Sequence, residues 1–361
     1  MYVYYVAADI PKELNCSLWL CENPARALRF LGHTATVVAL DEFLRTQAYR
    51  TPACLKADMV VIERNLFGET LAAIGYLRSA GVPVVVTFDD ALDLVQPTNT
   101  AYNFWRLGLV NGRDGKPVVK AGLPPLVEFE YGLRAATAAT MPSRLLQARW
   151  ANHTRTHYLP NFIDTRLYLD GLAQRPARDG LTIGWGGSTS HLPSFTGSGI
   201  LTALYRVCQA RPNVRVVICG DNERIFNQLP VKNKTLLPWV PLADWPRQLA
   251  AFDIGLAPLC GQFDDHRSRL KVMEYLTMAI PFVASKSPAY AEFYLRESDP
   301  VLFPAFVDNT PEAWELRLME VIDNYDAHYG AAIELQPLAL KQDLFLQAHT
   351  IVATYERILI L

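Results

Sequence analysis

Apolar runs alternate with amphipathic segments along the first half of the chain. A helical pattern at 69–80 ends before Gly81, a residue type that favours a helix C-terminus. The apolar runs have no polar face, as expected of parallel strands that helices cover on both sides. The alternation predicts an α/β domain built on a parallel sheet. Its first strands are predicted at 2–8, 34–40, 58–63 and 82–88.

The alternation breaks after Asp89 and Asp90. Residues 91–126 are rich in glycine and proline, and so long an irregular stretch within a compact domain is usually functional or mobile. The alternation then returns and ends near residue 160. It predicts helices at 127–138 and 143–152 and strands at 139–142 and 157–160.

A second alternating series follows an Arg- and Pro-bearing stretch at 171–180. Its predicted strands cover 181–185, 214–219, 235–237, 253–259, 281–284 and 301–303. Its predicted helices cover 194–210, 223–229, 242–251, 268–279, 288–295 and 311–327, and a last helical pattern covers 338–360. We predict an N-terminal domain at 1–160, a second domain at 161–337 and a C-terminal helix at 338–361. Two α/β units face each other across a cleft, where ligands commonly bind.

The composition narrows the class of protein. Half of the 361 residues are hydrophobic and 19% are charged, which is typical of folded rather than disordered chains. The formal net charge of −2 argues against a general nucleic-acid binder. No apolar run has the length of a transmembrane helix, and the cysteines form no C-x-x-C pair. We therefore expect a cytoplasmic protein in a reducing compartment.

Two stretches of the first domain are nevertheless basic. Residues 102–122 carry two arginines and two lysines against one aspartate, and residues 144–157 carry arginines and histidines without an acid. Such runs are usually solvated surfaces, and less often they bind an anionic lipid, a glycan or the DNA backbone. Both interpretations stay open at this point.

Glycines and hydroxyl groups follow the first strand of the second series. The loop contains Gly186, Gly187, Ser188 and His191, and a helical pattern comes after it. Glycines let a backbone approach a ligand closely, and exposed N–H groups with hydroxyls suit a phosphate. The loop matches neither the G-x-G-x-x-G dinucleotide pattern nor a P-loop. It is either a phosphate-contacting loop or an ordinary strand-to-helix turn.

Charged residues open a predicted helix near residue 268. Arg267, Lys271 and Glu274 are spaced three or four apart and can share one helical face, and Ser268 can cap the helix. Two cations beside a helix N-terminus suit a diphosphate, and a carboxylate one turn later can bind ribose hydroxyls. The alternative is a solvated helix face with paired charges.

These stretches resemble the C-terminal domain of retaining family-4, or group 1, glycosyltransferases. LPNFID at 159–164 is similar to the family's hinge run. DIGLAPL at 253–259 and S-x-L-K-x-x-E-Y at 268–275 resemble its donor-site strand and helix, and VVVTFDD at 84–90 extends a weaker similarity to the first half. The resemblance implies the GT-B fold, with two Rossmann-like, doubly wound domains facing a cleft and a C-terminal helix returning to the N-terminal domain.

The resemblance also implies roles for acidic positions of the second domain. Glu274 matches the second acidic residue of the family's E-x7-E motif and would bind the ribose of the donor. The first acidic position falls on His266, which departs from the family pattern. Asp264 or Asp265 would then take over the contacts to the sugar hydroxyls.

Two further implications concern the diphosphate and the base. The glycine loop lacks the lysine that the family often carries, so we expect Arg267 and Lys271 to steady the leaving diphosphate. Trp239 and Val240 lie where the family places its base-contacting segment. Trp239 either stacks on the base or is a buried core residue. No D-x-D pair occurs at the aspartate doublets, so the resemblance implies neither a metal ion nor a cofactor.

Asp89 and Asp90 are the candidates in the first domain. They match the end of a strand where the family often carries a histidine. One of them would face the acceptor or the reacting sugar, where a carboxylate can act as a general base. The alternative is an aspartate that caps the loop after a strand.

The sequence thus predicts an enzyme, a glycosyltransferase of the hexosyltransferase class. It would move a sugar from a nucleoside diphosphate sugar, a UDP- or GDP-sugar, to a hydroxyl of a glycan, a lipid-linked acceptor or a nucleic acid. Transfer would retain the anomeric configuration and need no metal. One alternative is a viral-type glycosyltransferase that modifies hydroxymethylpyrimidine bases in DNA, which the acidic net charge disfavours. The other is a non-catalytic GT-B protein that binds a nucleotide or a glycan.

Overall fold

The computed structural model describes residues 1–9, 15–99, 101–111, 117–120, 122–173, 180–220, 222–294 and 305–360. Within these ranges the strands form two six-stranded sheets and one hairpin. The strands are β1 (Tyr2–Ala7), β2 (Thr34–Ala39), β3 (Met59–Glu63), β4 (Val84–Thr87), β5 (Leu109–Asn111), β6 (Pro117–Val119), β7 (Ala138–Met141), β8 (Thr156–Tyr158), β9 (Thr182–Gly186), β10 (Arg215–Cys219), β11 (Lys234–Leu237), β12 (Ile254–Ala257), β13 (Phe282–Ser285) and β14 (Phe306–Val307).

The first sheet has the strand order β2-β1-β3-β4-β7-β8, and its neighbouring strands all run parallel. Side chains on both of its faces are fully buried, among them Tyr5, Val61 and Val86. Burial on both faces is the reason for the continuous apolar runs in the sequence. The six strands predicted for the first half are confirmed within two residues at each end.

The second sheet has the order β11-β10-β9-β12-β13-β14 and is also parallel. This is the doubly wound arrangement in which the strand order reverses between the first and fourth strands, here β9 and β12. Connections leave these two strands in opposite directions, which opens a crevice at their carboxyl ends. The fold therefore provides a crevice beside the end of β9.

Helices cover the faces of both sheets. They are α1 (Asn23–Phe30), α2 (Leu40–Arg45), α3 (Pro52–Leu55), α4 (Glu69–Ser79), α5 (Tyr102–Trp105), α6 (Pro125–Ala135), α7 (Arg144–Trp150), α8 (Thr165–Leu172), α9 (Leu192–Gly197), α10 (Ile200–Ala210), α11 (Glu223–Gln228), α12 (Trp245–Ala250), α13 (Gln262–Asp265), α14 (Leu270–Thr277), α15 (Ala291–Tyr294), α16 (Pro311–Asp323), α17 (Tyr325–Leu340) and α18 (Ala348–Leu359).

The structure corrects two of the predicted segments. The helix predicted at 194–210 is divided into α9 and α10, because Gly199 between them has a φ of +84°. The stretch 91–126 is not irregular throughout, since it contains α5 and the antiparallel pair β5 and β6. The strand predicted at 301–303 and most of the stretch 171–180 lie outside the described residues.

The C-terminal segment begins later than the sequence predicts. α17 continues through Pro337 to Leu340, so no helix starts at residue 338, and the last helix begins at Ala348. α18 packs into the core of the first sheet, where the rings of Tyr355 and Tyr5 lie 6.3 Å apart. The predicted fold class, with its returning C-terminal helix, is thus confirmed. The exact domain limits stay a prediction.

Candidate functional site

The glycine loop follows β9 at the carboxyl edge of the second sheet. A Cβ atom on Gly186 would lie 2.3 Å from the Trp245 ring, and one on Gly187 would lie 2.7 Å from the Trp185 ring. Two indole rings therefore require these glycines. Ser188 is exposed at the tip of the loop. The loop thus brings bare backbone and a hydroxyl to the crevice between β9 and β12.

Arg267 lies in the turn before α14 and not on that helix, which corrects one prediction. α14 begins at Leu270, and Arg269 occupies the position before it without a side-chain capping bond. Ser268 therefore does not cap the helix. Arg267 and Lys271 approach the loop from two different elements, so the common helical face that the spacing predicted is wrong for Arg267.

The Arg267 guanidinium joins the glycine loop to α13. Its Nη1 lies 3.1 Å from Nε2 of His191, and its Nη2 lies 3.2 Å from Oγ of Ser190. Its Nε donates to Oδ1 of Asp264 at 2.8 Å. Burial and the charges of Arg267 and Lys271 hold the pKa of His191 well below its usual range. His191 is therefore a neutral acceptor for the guanidinium.

Lys271 lies on α14 with its ammonium group at the glycine loop. Nζ donates to the carbonyl oxygen of Gly186 and lies 3.6 Å from Oε2 of Glu274. The same atom lies 5.8 Å from the ring centroid of Trp185 and 5.7 Å from that of Trp245. Contacts with two indole rings stabilise a desolvated cation. Lys271 is thereby fixed beside the loop, with a side chain only 17% exposed.

Glu274 is buried one turn further along α14. Its Oε1 accepts hydrogen bonds from the Tyr168 hydroxyl and the Trp245 indole, both at 2.8 Å. Its Oε2 faces Lys271. A solvated helix face, the alternative for this segment, is therefore excluded. The predicted contact with a ribose stays a prediction, for which Oε2 is the oxygen less engaged by protein donors.

Asp264 is an anchor for Arg267 in this arrangement. Its Oδ2 accepts hydrogen bonds from Oγ of Ser194 at 2.6 Å and from the backbone N–H of Cys260 at 2.8 Å. With Oδ1 bonded to Arg267, both oxygens are occupied, and the residue is 2% exposed. The carboxylate fixes the direction of the guanidinium and the start of α13.

Asp265 and His266 point to other partners. Oδ1 of Asp265 accepts a hydrogen bond from Oγ of Ser287 at 2.8 Å, and Nδ1 of His266 lies 2.7 Å from the carbonyl oxygen of Gln262. These contacts are local to α13 and the loop after β13. Their predicted contacts with the donor sugar stay predictions.

Trp239 is exposed after the end of β11. The side chain is 40% exposed, so the alternative of a buried core tryptophan is wrong. A Cβ atom on Gly220 would lie 3.0 Å from the Trp239 ring and 2.5 Å from the carbonyl oxygen of Gly187. The ring therefore stands next to the glycine loop. Val240 is half-buried and packs against the core cluster of the second sheet that contains Trp245 and Tyr275.

Asp89 and Asp90 follow β4 at the carboxyl edge of the first sheet. Burial and the charge of Asp90 raise the pKa of Asp89 to about 6, while Arg64 and Arg267 act in the opposite direction. Burial lowers the pKa of Arg267, but Asp90 and other carboxylates raise it to a net value above the ordinary one. Charges at the ends of the two sheets therefore act on each other across the cleft between the sheets.

Sequence patterns did not indicate three further residues at the first sheet, which are Asp9, Glu63 and Arg64. Glu63 ends β3 and is fully buried, and its Oε2 accepts hydrogen bonds from Ser17 Oγ and, at 2.9 Å, from the N–H of Ala8. Arg64 follows and donates to Oδ1 of Asp9 at 2.6 Å. These side chains come from the ends of β1 and β3, which are far apart in sequence, so no local motif connects them.

Two properties distinguish this second cluster, formed by Asp9, Glu63, Arg64, Asp89 and Asp90. Burial raises the pKa of Glu63 to about 7, although Arg64 and the bond from Ser17 oppose the rise. Arg64 adopts a φ of +26°, in the left-handed region that disfavours side chains. Strained backbone and carboxyl groups with raised pKa values are frequent at functional sites. A left-handed, non-glycine residue cannot be read from a sequence pattern.

The cations of the basic stretches bond mainly within the protein. Nζ of Lys120 lies 2.9 Å from Oε2 of Glu128, and Nε of Arg149 lies 2.8 Å from Oδ2 of Asp93. Arg155 donates to a backbone carbonyl of α18 at 2.7 Å. Part of the first stretch, residues 112–116 and 121, lies outside the described residues. The described cations named here therefore match solvated or paired surfaces better than a DNA groove.

Two features are absent from the described residues. No group of three or more histidine, cysteine, aspartate or glutamate side chains there is placed to hold a metal ion. Nor does any described helix combine the length and the hydropathy that a membrane crossing requires.

Comparisons with known proteins address the family and the fold. A family model described as glycosyl transferases group 1 matches residues 198–324. A comparison with curated proteins finds no match. Among solved structures, WaaG, a glycosyltransferase involved in lipopolysaccharide biosynthesis, aligns with a TM-score of 0.63 at 14% sequence identity, over 97% of this chain and 98% of that one.

Two more structures have the same architecture. An E. coli trehalose-6-phosphate structure bound with UDP-2-fluoro glucose aligns with a TM-score of 0.59 at 13% identity, over 98% of both chains. A protein described as a UDP-N-acetylglucosamine 2-epimerase, from Listeria monocytogenes, aligns with a TM-score of 0.55 at 11% identity, over 98% of this chain and 95% of that one. At such identities the likeness concerns the fold. The chain therefore has the GT-B fold, and its similarity to the group 1 glycosyltransferases, predicted from the sequence motifs, is confirmed.

Proposed function

We propose that this protein is a glycosyltransferase that moves a sugar from a nucleoside diphosphate sugar to an acceptor hydroxyl. The observation that carries the proposal is the pair of cations, Arg267 and Lys271, at the glycine loop. Both reach the loop at the crevice between β9 and β12, where open α/β sheets bind ligands. The match of residues 198–324 to the group 1 model supports the same activity.

The donor would bind along the second sheet. Backbone N–H groups of the loop, with Ser188, suit the diphosphate, and the exposed Trp239 ring suits the base. Lys271 would exchange its bond to the Gly186 carbonyl for a phosphate oxygen, which holds more negative charge. Glu274 would accept from the ribose through Oε2. A UDP- or GDP-sugar is the donor class that we propose.

Departure of the diphosphate leaves negative charge that the two cations would stabilise. Fixed donors and cations in a water-poor site are worth more than the same groups in water. Arg267 and Lys271 can serve this purpose in place of a metal ion, so we propose metal-independent transfer. Retention of the anomeric configuration rests on the resemblance to the retaining family alone.

The acceptor would bind against the second cluster. Its four carboxyl groups, against the single guanidinium of Arg64, repel phosphorylated or otherwise anionic molecules. We therefore propose a neutral, polyhydroxylated acceptor such as a glycan. Asp89, with a pKa of about 6, is ionised in most molecules at neutral pH and can accept a proton from the acceptor hydroxyl. Asp90 would keep Asp89 basic through its charge.

A thermal-shift screen over UDP-, GDP-, TDP- and ADP-sugars tests the donor class, because a ligand that binds only the folded state raises Tm by mass action. Donors that stabilise the protein would then be incubated with neutral and phosphorylated glycans, with and without EDTA. We expect transfer to neutral acceptors, unaffected by EDTA, and a product with the donor's anomeric configuration by NMR. Stabilisation by a donor without hydrolysis or transfer would instead support the non-catalytic alternative.

A further inference from the structure

The short helix α13 connects the two halves of the molecule through one side chain. Phe263 belongs to the second half by sequence, but its ring packs into the core of the first sheet. This core covers the face of the first sheet opposite α18, and all its other buried members, among the described residues, lie between Tyr4 and Trp150. Phe263 is 7% exposed. The ring is thus inserted from one domain into the other.

Neighbouring contacts show that Phe263 lies in a tight seam. α13 contacts the helical turn Leu92–Leu94 of the first half. Gly261, immediately before α13, has a φ of +85°, and a Cβ atom there would lie 3.4 Å from Nε2 of Gln96. The chain at and before the ring therefore lies close to the surface of the first domain.

The rest of α13 is fixed to the second domain. Asp264, next to Phe263, accepts hydrogen bonds from Ser194 and from the backbone of Cys260. Asp265 accepts one from Ser287. A helix of four residues therefore has its carboxylates bonded to one domain and its aromatic ring buried in the other. Separation of the domains must move the ring out of its socket or pull these bonds.

Arg267 is in direct contact with the Phe263 ring. Its Cζ lies 4.9 Å from the Phe263 ring centroid, and its Nε donates to Asp264. An arginine held over an aromatic face loses that contact when the ring turns or leaves. The same guanidinium reaches the glycine loop through Ser190. One ring thus connects the first domain to one of the two cations at the proposed diphosphate site.

We propose that Phe263 is an interdomain positioning residue, which places Arg267 at the glycine loop when the cleft is closed. The ring acts through Arg267, with which it is in contact. The consequence for transfer rests on the proposed function, but the insertion of the ring into the first domain does not. The first experiment below is therefore independent of any activity.

Small-angle scattering of the whole protein tests the insertion. We expect Phe263→Ala, and from the socket side Leu92→Ala, to shift the distance distribution to longer distances, whereas Phe263→Leu retains the wild-type curve. Phe293→Ala is the matched control, since Phe293 is 8% exposed and belongs to the core cluster of the second sheet that contains Trp245 and Tyr275. Unchanged curves for both Phe263→Ala and Leu92→Ala, or an equal expansion in Phe293→Ala, overturn the proposal.

The positioning role is tested by separating turnover from binding. With a donor that the wild type hydrolyses, we expect Phe263→Ala to lower kcat by about ten- to a hundredfold, as small misplacements of reacting groups do. Its Kd for UDP or GDP, whichever the wild type binds, should change less than twofold, and Phe263→Leu should restore kcat. If Phe293→Ala lowers kcat equally, or if Phe263→Ala weakens nucleotide binding as much as turnover, the residue has only a structural role.

Discussion

The cleft between the two sheets has two walls, and they are built in different ways. The wall at the second sheet presents Arg267 and Lys271, each held by a few short-range contacts around one loop. The wall at the first sheet presents carboxyl groups from the ends of three strands, with Arg64 beside them and Arg267 acting on them from the other wall. The wall at the second sheet, called the donor wall, suits a diphosphate. The wall at the first sheet, called the acceptor wall or first wall, suits a neutral polyol. Under the proposed function, the donor and the acceptor would therefore be distinguished by charge.

The walls also differ in what their residues cost the fold. The cations of the second wall have partners that match their charge, including Asp264 and the indole rings. In the first wall Asp89 and Glu63 have raised pKa values, and burial is the largest cause for both. Unfavourable burial of ionisable groups is tolerated where function requires it. Substitutions of these carboxyl groups should therefore increase the stability of the folded protein while they abolish its function.

The largest effect is expected from Lys271→Met, which removes the cation and keeps the apolar stem. We expect kcat to fall by about 100- to 1000-fold, the loss typical of a group that stabilises transition-state charge. Far-UV circular dichroism should stay unchanged. Lys232→Met, an exposed lysine of the same domain, is the control and should retain full activity. Normal turnover in Lys271→Met would remove the donor wall from the comparison.

Gly186→Ala tests the packing of the donor wall. A Cβ atom 2.3 Å from Trp245 must displace the ring that donates to Glu274, so we expect the free energy of unfolding to fall by about 1–3 kcal/mol. Nucleotide affinity should fall with it. Gly330→Ala, in α17, has no atom within 4 Å of the new methyl group and should be neutral or stabilising. Equal unfolding energies for the two variants would contradict the tight fit of the loop.

Asp89→Asn tests the acidic wall through pH. Because the folded pKa of Asp89, about 6, lies above the ordinary value of 3.8 for an aspartate, this group stabilises the wild type at low pH. That contribution is lost as pH rises through 6. Between pH 8 and pH 5 it amounts to about 1 kcal/mol, and Asp89→Asn should lack it and be more stable than the wild type at pH 8.

Urea unfolding at both pH values measures this difference. Asp308→Asn, an exposed carboxylate of the second half, serves as the control. Transfer should be lost in Asp89→Asn even though the protein is more stable. A variant that is less stable at pH 8 would show that Asp89 supports the fold and would remove the contrast between the walls.

The difference between the walls also explains how far the sequence could be interpreted. Strands buried on both faces appear as apolar runs, so the first sheet and all but the last strand of the second were predictable from local pattern. The donor wall lies on contiguous stretches, 186–191 and 264–274, where spacing carries information. Even there Ser268 was wrong as a cap, because Arg267 to Arg269 form a turn that the helical spacing conceals.

The acceptor wall could be predicted only in part. Asp89 and Asp90 follow an obvious strand, but Asp9, Glu63 and Arg64 meet them only through the parallel order of β1, β3 and β4. The left-handed backbone of Arg64 depends on tertiary contacts. Phe263 lies in the second half by sequence, and only the packing assigns its ring to the core of the first sheet. Properties that arise between domains have no local signature.

The smallest effect is expected from Trp239→Ala at the edge of the donor wall. The ring is 40% exposed and lies beside Gly220, so its removal should leave the unfolding energy nearly unchanged. If it stacks on the base, the Kd for the bound nucleotide should rise about two- to tenfold, as expected for one aromatic contact, and Trp239→Phe should restore most of the affinity. Tyr205→Ala, another exposed aromatic of the second domain, controls for surface effects. Calorimetry with UDP and GDP measures the Kd of the Trp239 variants and of the Tyr205→Ala control. An unchanged Kd would mean that the wall grips its ligand through phosphate and ribose alone, and that the base is recognised elsewhere.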